Sequence, residues 1–435
     1  MSKSVAGKAV IMAGGKGTRV SSVASNIPKP MIPINGKPVL EYQIECLKKN
    51  GLNDIIIVTG HLGHIIKDYF SDGAKFNCDI SYYDEETPLG SAGALYKIEN
   101  ILSDDFLLIN GDIIFDVDFS RFIEFHKTHD ALASLAVHPN SHPFDSALLE
   151  TDSEDRVTAW LNKEDPRKYY KNQVNAGLHI LSKRIIQNTH CTKEKIDLDR
   201  DIFKPNIASG CIYAYHTPEY IKDMGTPERY YQVEKDIISG IVQQKNLANK
   251  QKAVFIDRDG TITSLNGFVT NVGQLELNER AADAIKIINE SGFLAIVITN
   301  QPVIARGECT IEELEEIHKK METDLGTLGA YVDDIFYCPH HPDKGFAGER
   351  PEYKIDCECR KPKPGMILAA AKKYNIDTSQ SYMIGDDKRD ALAGIAAGCY
   401  PAIIIEKPSD ITKLIEGHNV PVFESLYDFV VKVIS

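Results

Sequence analysis

The fold is decided by two stretches, KAVIMAGGKGTR at residues 8–19 and KAVFIDRDGTIT at residues 252–263. Each begins as a short apolar strand and runs directly into a polar loop of the kind that binds phosphate. The first loop carries glycines and cations, whereas the second carries two aspartates. One chain therefore holds two different candidate sites for phosphoryl transfer, each at the end of a strand.

Length and composition predict two globular domains. The chain has 435 residues, of which 43% are hydrophobic, so each half can bury its own core. A net charge of −13 argues against a nucleic-acid surface but not against small anionic substrates, which local cations and backbone N–H groups can bind. Without a signal-peptide pattern or an apolar run of ~20 residues, we expect a cytoplasmic protein that does not bind membranes and can form homo-oligomers.

Apolar strands alternate with amphipathic helices in both halves, which predicts parallel α/β sheets. The strands are expected at 9–12, 55–59, 106–109, 253–257, 294–299 and 402–405, and the helices at 38–50, 91–101, 280–291, 310–325 and 365–374. A polar stretch, 243–252, separates the halves. The predicted domains are 1–245 and 251–435.

The first loop is built to let phosphate approach the backbone, through Gly14, Gly15 and Gly17. Lys16 and Arg19 add positive charge, and Lys29 lies on a stiff segment between two prolines. A tight turn between a strand and a helix is the structural alternative for such a loop. Similarly, Asp112 taken alone could be a helix or turn cap.

Further motifs follow in order: EETPLGSAGAL at 85–95, NGD at 110–112, VNAGLHIL at 174–181 and KDMGTPERY at 222–230. This ordered set resembles the sugar-1-phosphate nucleotidyltransferases over residues 5–240. The resemblance implies a nucleotide site with Arg19 and Lys29 as catalytic cations, together with Gly14, Gly15, Gly17, Thr18, Pro88, Gly90 and Gly93. It also implies Mg²⁺ held by Asp112 and Asp223, and sugar or phosphate contacts from Lys163, Asn175 and Gly177. Asn162 stands where the family usually has a sugar-binding glutamate.

The chemistry of such a site needs no general base, because a sugar phosphate is already a nucleophile. The site must instead screen charge between two phosphates and align them.

The second loop places two carboxylates, Asp257 and Asp259, one residue apart at a strand end. The first can attack phosphorus, and the second can protonate the leaving oxygen and then activate water. Thr299 and Asn300 lie at a second strand end, and Lys361, Asp386 and Asp387 follow later. This set resembles the haloacid dehalogenase phosphatases over residues 253–405, which implies phosphate contacts from Thr299 and Lys361 and Mg²⁺ bound by Asp257, Asp259 and Asp386. The structural alternative is a set of capping carboxylates in a doubly wound fold.

Three of the nine cysteines fall in one loop beside two histidines. Cys338, His340, Cys357 and Cys359 offer a tetrahedral four-ligand set typical of structural Zn²⁺, with His341 as an alternative ligand. The loop precedes Arg360 and resembles that of the D,D-heptose 1,7-bisphosphate phosphatases, an architecture shared with histidinol phosphatases. In that family the loop after Thr299 usually reads NQSGIARG; here Pro302 and Val303 replace Ser-Gly, and Arg306 remains placed to meet a second phosphate along with Arg360.

The expected fold is a Rossmann-like nucleotidyltransferase domain followed by a capless haloacid dehalogenase-like domain with a zinc loop. The two resemblances imply one pathway of nucleotide-activated heptose synthesis, of the kind that feeds lipopolysaccharide. The phosphatase would remove the 7-phosphate of D-glycero-α-D-manno-heptose 1,7-bisphosphate, and the transferase would join the 1-phosphate to GMP from GTP. Segment 88–93 also resembles thymidylyl and other enzymes. Two alternatives stay open: another sugar nucleotidyltransferase fused to a histidinol-phosphate-type phosphatase, and a regulatory protein with degenerate sites.

Overall fold

The computed structural model describes residues 7–15, 26–265, 267–406, 408 and 410–435. Their chain forms two compact units. The first comprises the described residues of Met1–His138, Leu149–Asn162 and Val174–Asn246, and the second those of Pro139–Leu148, Lys163–Gln173 and Leu247–Ser435.

The main change of unit, after Asn246, falls within the predicted linker. Two segments from the first half of the sequence nevertheless pack with the second unit, which the predicted boundaries do not include. The backbone of one of them is anchored there, since Tyr170 N–H donates to Thr323 Oγ1 at 3.0 Å and Asn172 N–H donates to Glu322 Oε1 at 3.2 Å.

The first unit contains one mixed nine-stranded sheet and two separate two-stranded sheets. Its strands are β1 (Lys8–Met12), β2 (Pro33–Ile34), β3 (Lys37–Pro38), β4 (Asp54–Thr59), β5 (Asp79–Asp84), β6 (Asp105–Asn110), β7 (Ile113–Asp116), β8 (Ala133–His138), β9 (Leu148–Thr151), β10 (Val157–Leu161), β11 (Val174–Ser182), β12 (Ile212–His216) and β13 (Tyr220–Asp223). Its helices are α1 (Val39–Lys49), α2 (Gly63–Phe70), α3 (Gly93–Lys97), α4 (Phe119–Thr128), α5 (Lys183–Asn188), α6 (Lys204–Asn206), α7 (Pro227–Ser239) and α8 (Ile241–Gln244), with a π-helical turn at Leu198–Phe203.

The strand order is β10-β9-β11-β6-β1-β4-β5, with β8 beside β11 and β12 beside β8. Strands β5, β4, β1 and β6 are parallel, so their carboxyl ends lie at one edge. The sheet is not purely parallel, because β11 runs antiparallel to both β6 and β8. The parallel edge is where the first candidate site forms.

The second unit is a parallel sheet between helical layers. Its strands are β14 (Ala253–Ile256), β15 (Leu294–Asn300), β16 (Asp334–Cys338), β17 (Tyr382–Gly385), β18 (Tyr400–Ile404), β19 (Thr412–Ile415) and β20 (His418–Phe423). Its helices are α9 (Ala281–Ser291), α10 (Ile311–Thr327), α11 (Gly365–Lys373), α12 (Lys388–Ala397) and α13 (Leu426–Val433). The order β16-β15-β14-β17-β18-β20-β19 is parallel except for the edge strand β19.

The remaining turns are short 3₁₀ helices at Lys29–Met31, Ala74–Phe76, Glu99–Ile101, Pro143–Asp145, Ile207–Ser209, Val272–Gln274, Pro351–Tyr353 and Thr378–Gln380. One of them corrects the helix predicted over 91–101, which is a helix only at Gly93–Lys97. The helix does not start earlier because its N-cap residue Ala92 has a non-helical φ of −137° and Gly90 before it has φ +87°. Across the described residues, no helix combines the length and apolar character needed to cross a membrane.

Candidate active sites

The first site begins where β1 ends, at Gly14. A Cβ on Gly14 would lie 2.7 Å from Glu85 Oε2, so a larger residue there would require the Glu85 side chain to move. Gly15 beside it is exposed and has open space around it. Gly17, Thr18 and Arg19, which were predicted to bind nucleotide, lie outside the described residues. Their roles stay predictions.

Glu85 follows β5 at the same edge of the sheet, and only part of its carboxylate has a hydrogen-bond partner. Its Oε1 is buried and has no hydrogen-bond partner among the described residues. Burial raises the pKa of this carboxyl, although a hydrogen bond from the Leu89 backbone opposes the rise. Glu85 belongs to one of the quoted motifs, but no role was predicted for it, because its burial depends on the pairing of β5 with β4.

The predicted cation and both predicted metal carboxylates come together. The Lys29 ammonium group donates to Asp112 Oδ2, and the Met224 N–H beside Asp223 donates to the Asp112 carbonyl at 3.2 Å. Burial would raise the pKa of Asp223, but the charge of Arg229, the Gly225 N–H and the charge of Lys29 outweigh burial and hold the pKa below its usual value. Arg229 binds Asp223 through contacts of 3.0 and 2.9 Å.

Two carboxylates on adjacent backbone positions fit Mg²⁺, which binds through one or two carboxylates plus substrate phosphates. Such an ion, when bound, would screen the charge between the reacting phosphates. Lys29 and Arg229 bind these carboxylates, so a metal ion would compete with the two cations for carboxylate oxygens, and a substrate phosphate would compete with the carboxylates for the cations.

The loop predicted to face base and sugar is tied to the segment around Ile196. Ile196 N–H donates to Leu89 O at 2.9 Å, and Gly90 adopts φ +87° where a side chain would meet Ile196. Pro88 is exposed, and Gly93 opens α3.

Of the predicted sugar residues, Asn175 and Gly177 lie together. Asn175 Oδ1 accepts from Gly177 N–H at 3.3 Å, and Gly177 has φ +71° against the Asn110 side chain. Lys163 is different: its side chain is 61% exposed and lies 3.7 Å from Glu164. Its predicted phosphate contact remains a prediction.

The second site is a buried cluster of charges at the carboxyl edge of β14, β15 and β17. Lys361 Nζ contacts Asp257 Oδ1 at 2.7 Å and Asp390 at 2.6 Å, and it donates to Ile298 O at 2.8 Å. Asn300 fixes the backbone of Lys361 through reciprocal hydrogen bonds of 3.0 and 3.1 Å. Thr299, near the carboxyl end of β15, is 1% exposed, and the predicted phosphate contacts of Thr299 and Lys361 stay predictions.

Asp257, Asp386 and Asp390 place carboxylate oxygens within 4.8 Å of one another. Burial first, and then the charge of Asp390, raise the pKa of Asp257 to about 7 and of Asp386 to about 6. Carboxylate oxygens are ligands that Mg²⁺ prefers, and this group offers three of them close together. Asp390 was not predicted; it is 1% exposed and also completes the cap of α12 with Asp387.

Asp259, the predicted acid/base and third Mg²⁺ ligand, is held by contacts of its own. Its carboxylate is bound by Arg258 through two contacts of 2.9 Å, and by Gln301 Nε2 at 2.9 Å. It is not part of the three-carboxylate group. Its metal contact stays a prediction.

The predicted zinc ligands converge in the loop after β16. Their ligand atoms also lie within 4.8 Å of one another, with Cys359 Sγ 3.3 Å from Cys338 Sγ, 3.2 Å from Cys357 Sγ and 3.3 Å from His340 Nδ1. Hydrogen bonding from Cys338 lowers the pKa of Cys359 to about 5, so the cluster favours a thiolate. His341 instead accepts from Asp343 N–H at 3.2 Å. This S₃N set fits tetrahedral Zn²⁺.

Two arginines were predicted to bind sugar or phosphate: Arg306, which precedes the zinc loop in sequence and was predicted to meet a second phosphate, and Arg360, which directly follows the loop. The Arg306 guanidinium lies 4.4 Å from the Phe268 ring centroid and 4.5 Å from that of Phe346. Burial, together with the nearby charges of Arg389 and Arg306, lowers the pKa of Arg360. The crowding of these cations suits an anionic ligand.

Two phosphoryl-transfer sites on separate sheets define a bifunctional enzyme, one half of nucleotidyltransferase type and the other of haloacid dehalogenase type. Residues 8–240 match the Nucleotidyl transferase family and residues 358–428 match a HAD-hydrolase-like family. The chain belongs to the nucleotidyl transferase family and, through its second half, to the family of the heptose 1,7-bisphosphate phosphatases.

The relatives divide between the halves. The D-glycero-beta-D-manno-heptose-1,7-bisphosphate 7-phosphatase of Pasteurella multocida is 37% identical, over 41% of this chain and 94% of that protein. The mannose-1-phosphate guanylyltransferase of Mycobacterium tuberculosis is 32% identical over 54% of this chain, which spans only 65% of that relative's length. The crystal structure of HddC from Yersinia pseudotuberculosis complexed with GMP-PN is 31% identical, covering 53% of this chain and 99% of that one, with a TM-score of 0.46.

Proposed function

We propose that this chain removes the 7-phosphate from D-glycero-α-D-manno-heptose 1,7-bisphosphate and transfers GMP from GTP to the resulting heptose 1-phosphate, giving GDP-heptose and pyrophosphate. The observation that carries the proposal is the presence on one chain of two assembled sites, one of them in a half whose curated relatives act on a heptose bisphosphate. The product of that half is a sugar 1-phosphate, which is the substrate class of the other half.

In the phosphatase half, an Asp257 oxygen attacks the 7-phosphorus, and the bond from phosphorus to the sugar oxygen breaks. Asp259 gives its proton to that oxygen and then takes one from the water that releases phosphate from Asp257. Lys361 and Thr299 hold the phosphoryl oxygens, Asn300 fixes Lys361, and Arg306 and Arg360 receive the 1-phosphate. Asp257 and Asp386, with Asp390 beside them, are the proposed holders of Mg²⁺.

In the transferase half, an oxygen of the sugar phosphate attacks the α-phosphorus of GTP and pyrophosphate leaves. Lys29 and Arg19 neutralise the phosphates, while Asp112 and Asp223 are the proposed holders of Mg²⁺. The C1–O bond is untouched, so the anomer comes from the phosphatase product. We propose the α anomer; the names of the curated phosphatase relatives specify β.

Glu85 supports GTP as the nucleotide. Its buried Oε1 has no partner among the described residues, and the carboxylate, which also accepts a hydrogen bond from the Leu89 backbone, lies at the edge where the nucleotide is expected. Guanine presents two adjacent donors, N1–H and N2–H, on its Watson–Crick edge, whereas uracil and thymine present one. A carboxylate at this position therefore favours guanine.

Replacing Glu85 by Gln should reduce kcat/KM for GTP roughly 10- to 100-fold, because a hydrogen bond to a charged group is worth about 1.5–3 kcal/mol. The reduction for dTTP should be smaller. The exposed neighbour gives a matched control, Glu86→Gln, with unchanged preference. An equal loss for every nucleoside triphosphate would contradict the base contact.

The proposal is tested by offering α and β heptose 1,7-bisphosphates to the full chain with Mg²⁺ and each of GTP, ATP, CTP and dTTP. We expect phosphate release with the α anomer and GDP-heptose only with GTP. A preference for histidinol phosphate would favour the alternative phosphatase. A β preference or a dTTP preference would show a different pathway with the same two reaction types, and no turnover at all would favour a regulatory protein.

The freshly purified chain should contain about one zinc per molecule, retained during exchange of Mg²⁺, because four protein ligands close the site. Elemental analysis with thiol titration measures this. The Cys357→Ser variant should lose the metal, whereas Cys399→Ser, which alters a buried cysteine outside the cluster, should keep it. Zinc-free protein with all thiols reactive would count against the site.

A further inference from the structure

Arg258, between the two aspartates of the phosphatase loop, is fully buried and has 0% side-chain exposure. A buried charge is expensive, and an apolar side chain would fill this position at lower cost. Its guanidinium nevertheless makes a two-point contact with its neighbour, Nε to Asp259 Oδ1 and Nη2 to Asp259 Oδ2, both at 2.9 Å. The contact with Asp259 is therefore the feature that explains a buried arginine at this position.

The other donors around Asp259 complete a fixed arrangement. Gln301 Nε2 lies 2.9 Å from Asp259 Oδ2 and 2.9 Å from Thr299 Oγ1, so it joins the acid/base residue to a phosphate contact. The Thr263 hydroxyl lies 3.3 Å from Asp259 Oδ1 and 3.2 Å from the Arg258 carbonyl, which means one hydrogen serves two acceptors. A carboxylate has about four acceptor positions. Arg258 and Gln301 occupy three, and the fourth, on Oδ1, is shared with a hydroxyl that can turn away.

We infer that Arg258 is a positioning residue for Asp259, which it orients so that one acceptor position on Oδ1 carries the transferable proton. Gln301 assists from the opposite oxygen. This inference rests on the proposed phosphatase function. The proton passes from Oδ1 to the sugar oxygen as the phosphorus–oxygen bond breaks, and the same position later accepts a proton from the attacking water.

The leaving group separates this role from a merely structural one. A sugar alkoxide needs a proton to leave, whereas p-nitrophenolate leaves without one. In Arg258→Met, kcat for the heptose bisphosphate should fall on the order of 100-fold, within the range for general acid–base catalysis, while KM changes little. The first-turnover burst of p-nitrophenolate should fall far less, and only the later steady state should slow, because water attack still needs Asp259.

The double variant with Asp259→Asn tests whether the two residues act together. If Arg258 acts through Asp259, adding Arg258→Met to Asp259→Asn should cost almost nothing further. Gln301→Met removes a single donor to Asp259 and should show the same difference between leaving groups, with a smaller loss of kcat. This variant tests the same role if the arginine variant does not fold. Zinc content and guanylyl transfer report that each chain is folded.

Equal losses of the burst and of sugar-phosphate turnover, or additive losses in the double variant, would overturn the role of Arg258. Failure of the unmodified chain on both phosphate substrates would instead remove the proposed phosphatase function.

Discussion

Replacing Asp257 by Asn should abolish phosphate release from the bisphosphate, by at least about 1,000-fold, while guanylyl transfer to heptose 1-phosphate stays near normal. The amide cannot form the bond to phosphorus, and it also removes the charge that Lys361 contacts at 2.7 Å. Phosphate release and GDP-heptose formation are measured separately, the second with heptose 1-phosphate supplied directly.

Asp283→Asn is the matched control, because Asp283 is a half-exposed residue of α9 whose ion pairs with Arg280 and Lys286 lie near the surface. Exposed pairs contribute little to stability, so both activities should be retained. Loss of guanylyl transfer in Asp257→Asn would contradict two independent sites, and so would retained phosphate release.

Strands and helices were predictable where burial alone decides them. The six predicted strands and four of the five predicted helices agree with the observed ends to within two residues. Strands β8, β9 and β12 were not predicted. They lie on the side of β11 away from β1, in the part of the sheet that β11 joins by running antiparallel to β6 and β8. The helix over 91–101 is shorter than predicted because the backbone at Ala92, whose N–H binds the distant Ile196 carbonyl, is not helical, with φ −137°.

Sites were predictable where a residue type and a strand end sufficed. Asp257 and Asp386 meet because parallel strands bring their carboxyl ends to one edge, and Lys361, from the loop before α11, contacts Asp257 there. The four predicted zinc ligands lie close together, with His340 rather than His341 among them. The chemical role of these residues follows from their side-chain type, which the sequence gives directly.

Residues whose role depends on burial or on a partner distant in sequence were missed. Asp390 resembles an ordinary helix-capping residue until Lys361 is placed against it. For Arg258, whose partner Asp259 is its neighbour in sequence, it is the burial that the fold decides, and the unpartnered oxygen of Glu85 is visible only once β5 is paired. In each case the tertiary fold decides the role, so no pattern of spacing encodes it.

Lys29→Met should reduce guanylyl transfer on the order of 100- to 1,000-fold and leave phosphate release unchanged, since one positioned charge in a phosphoryl-transfer site has an effect of that size. Lys29 is 11% exposed, contacts Asp112, and helps to lower the pKa of Asp223, so it acts on both predicted metal carboxylates. The control is Lys37→Met, whose ammonium pairs with the exposed Glu45. Single-turnover formation of GDP-heptose at saturating GTP is the measurement, because it separates the transfer step from binding. If the loss appeared only as a higher KM for GTP, Lys29 would be a binding contact alone, and its placement against Asp112 would not contribute to the transfer step.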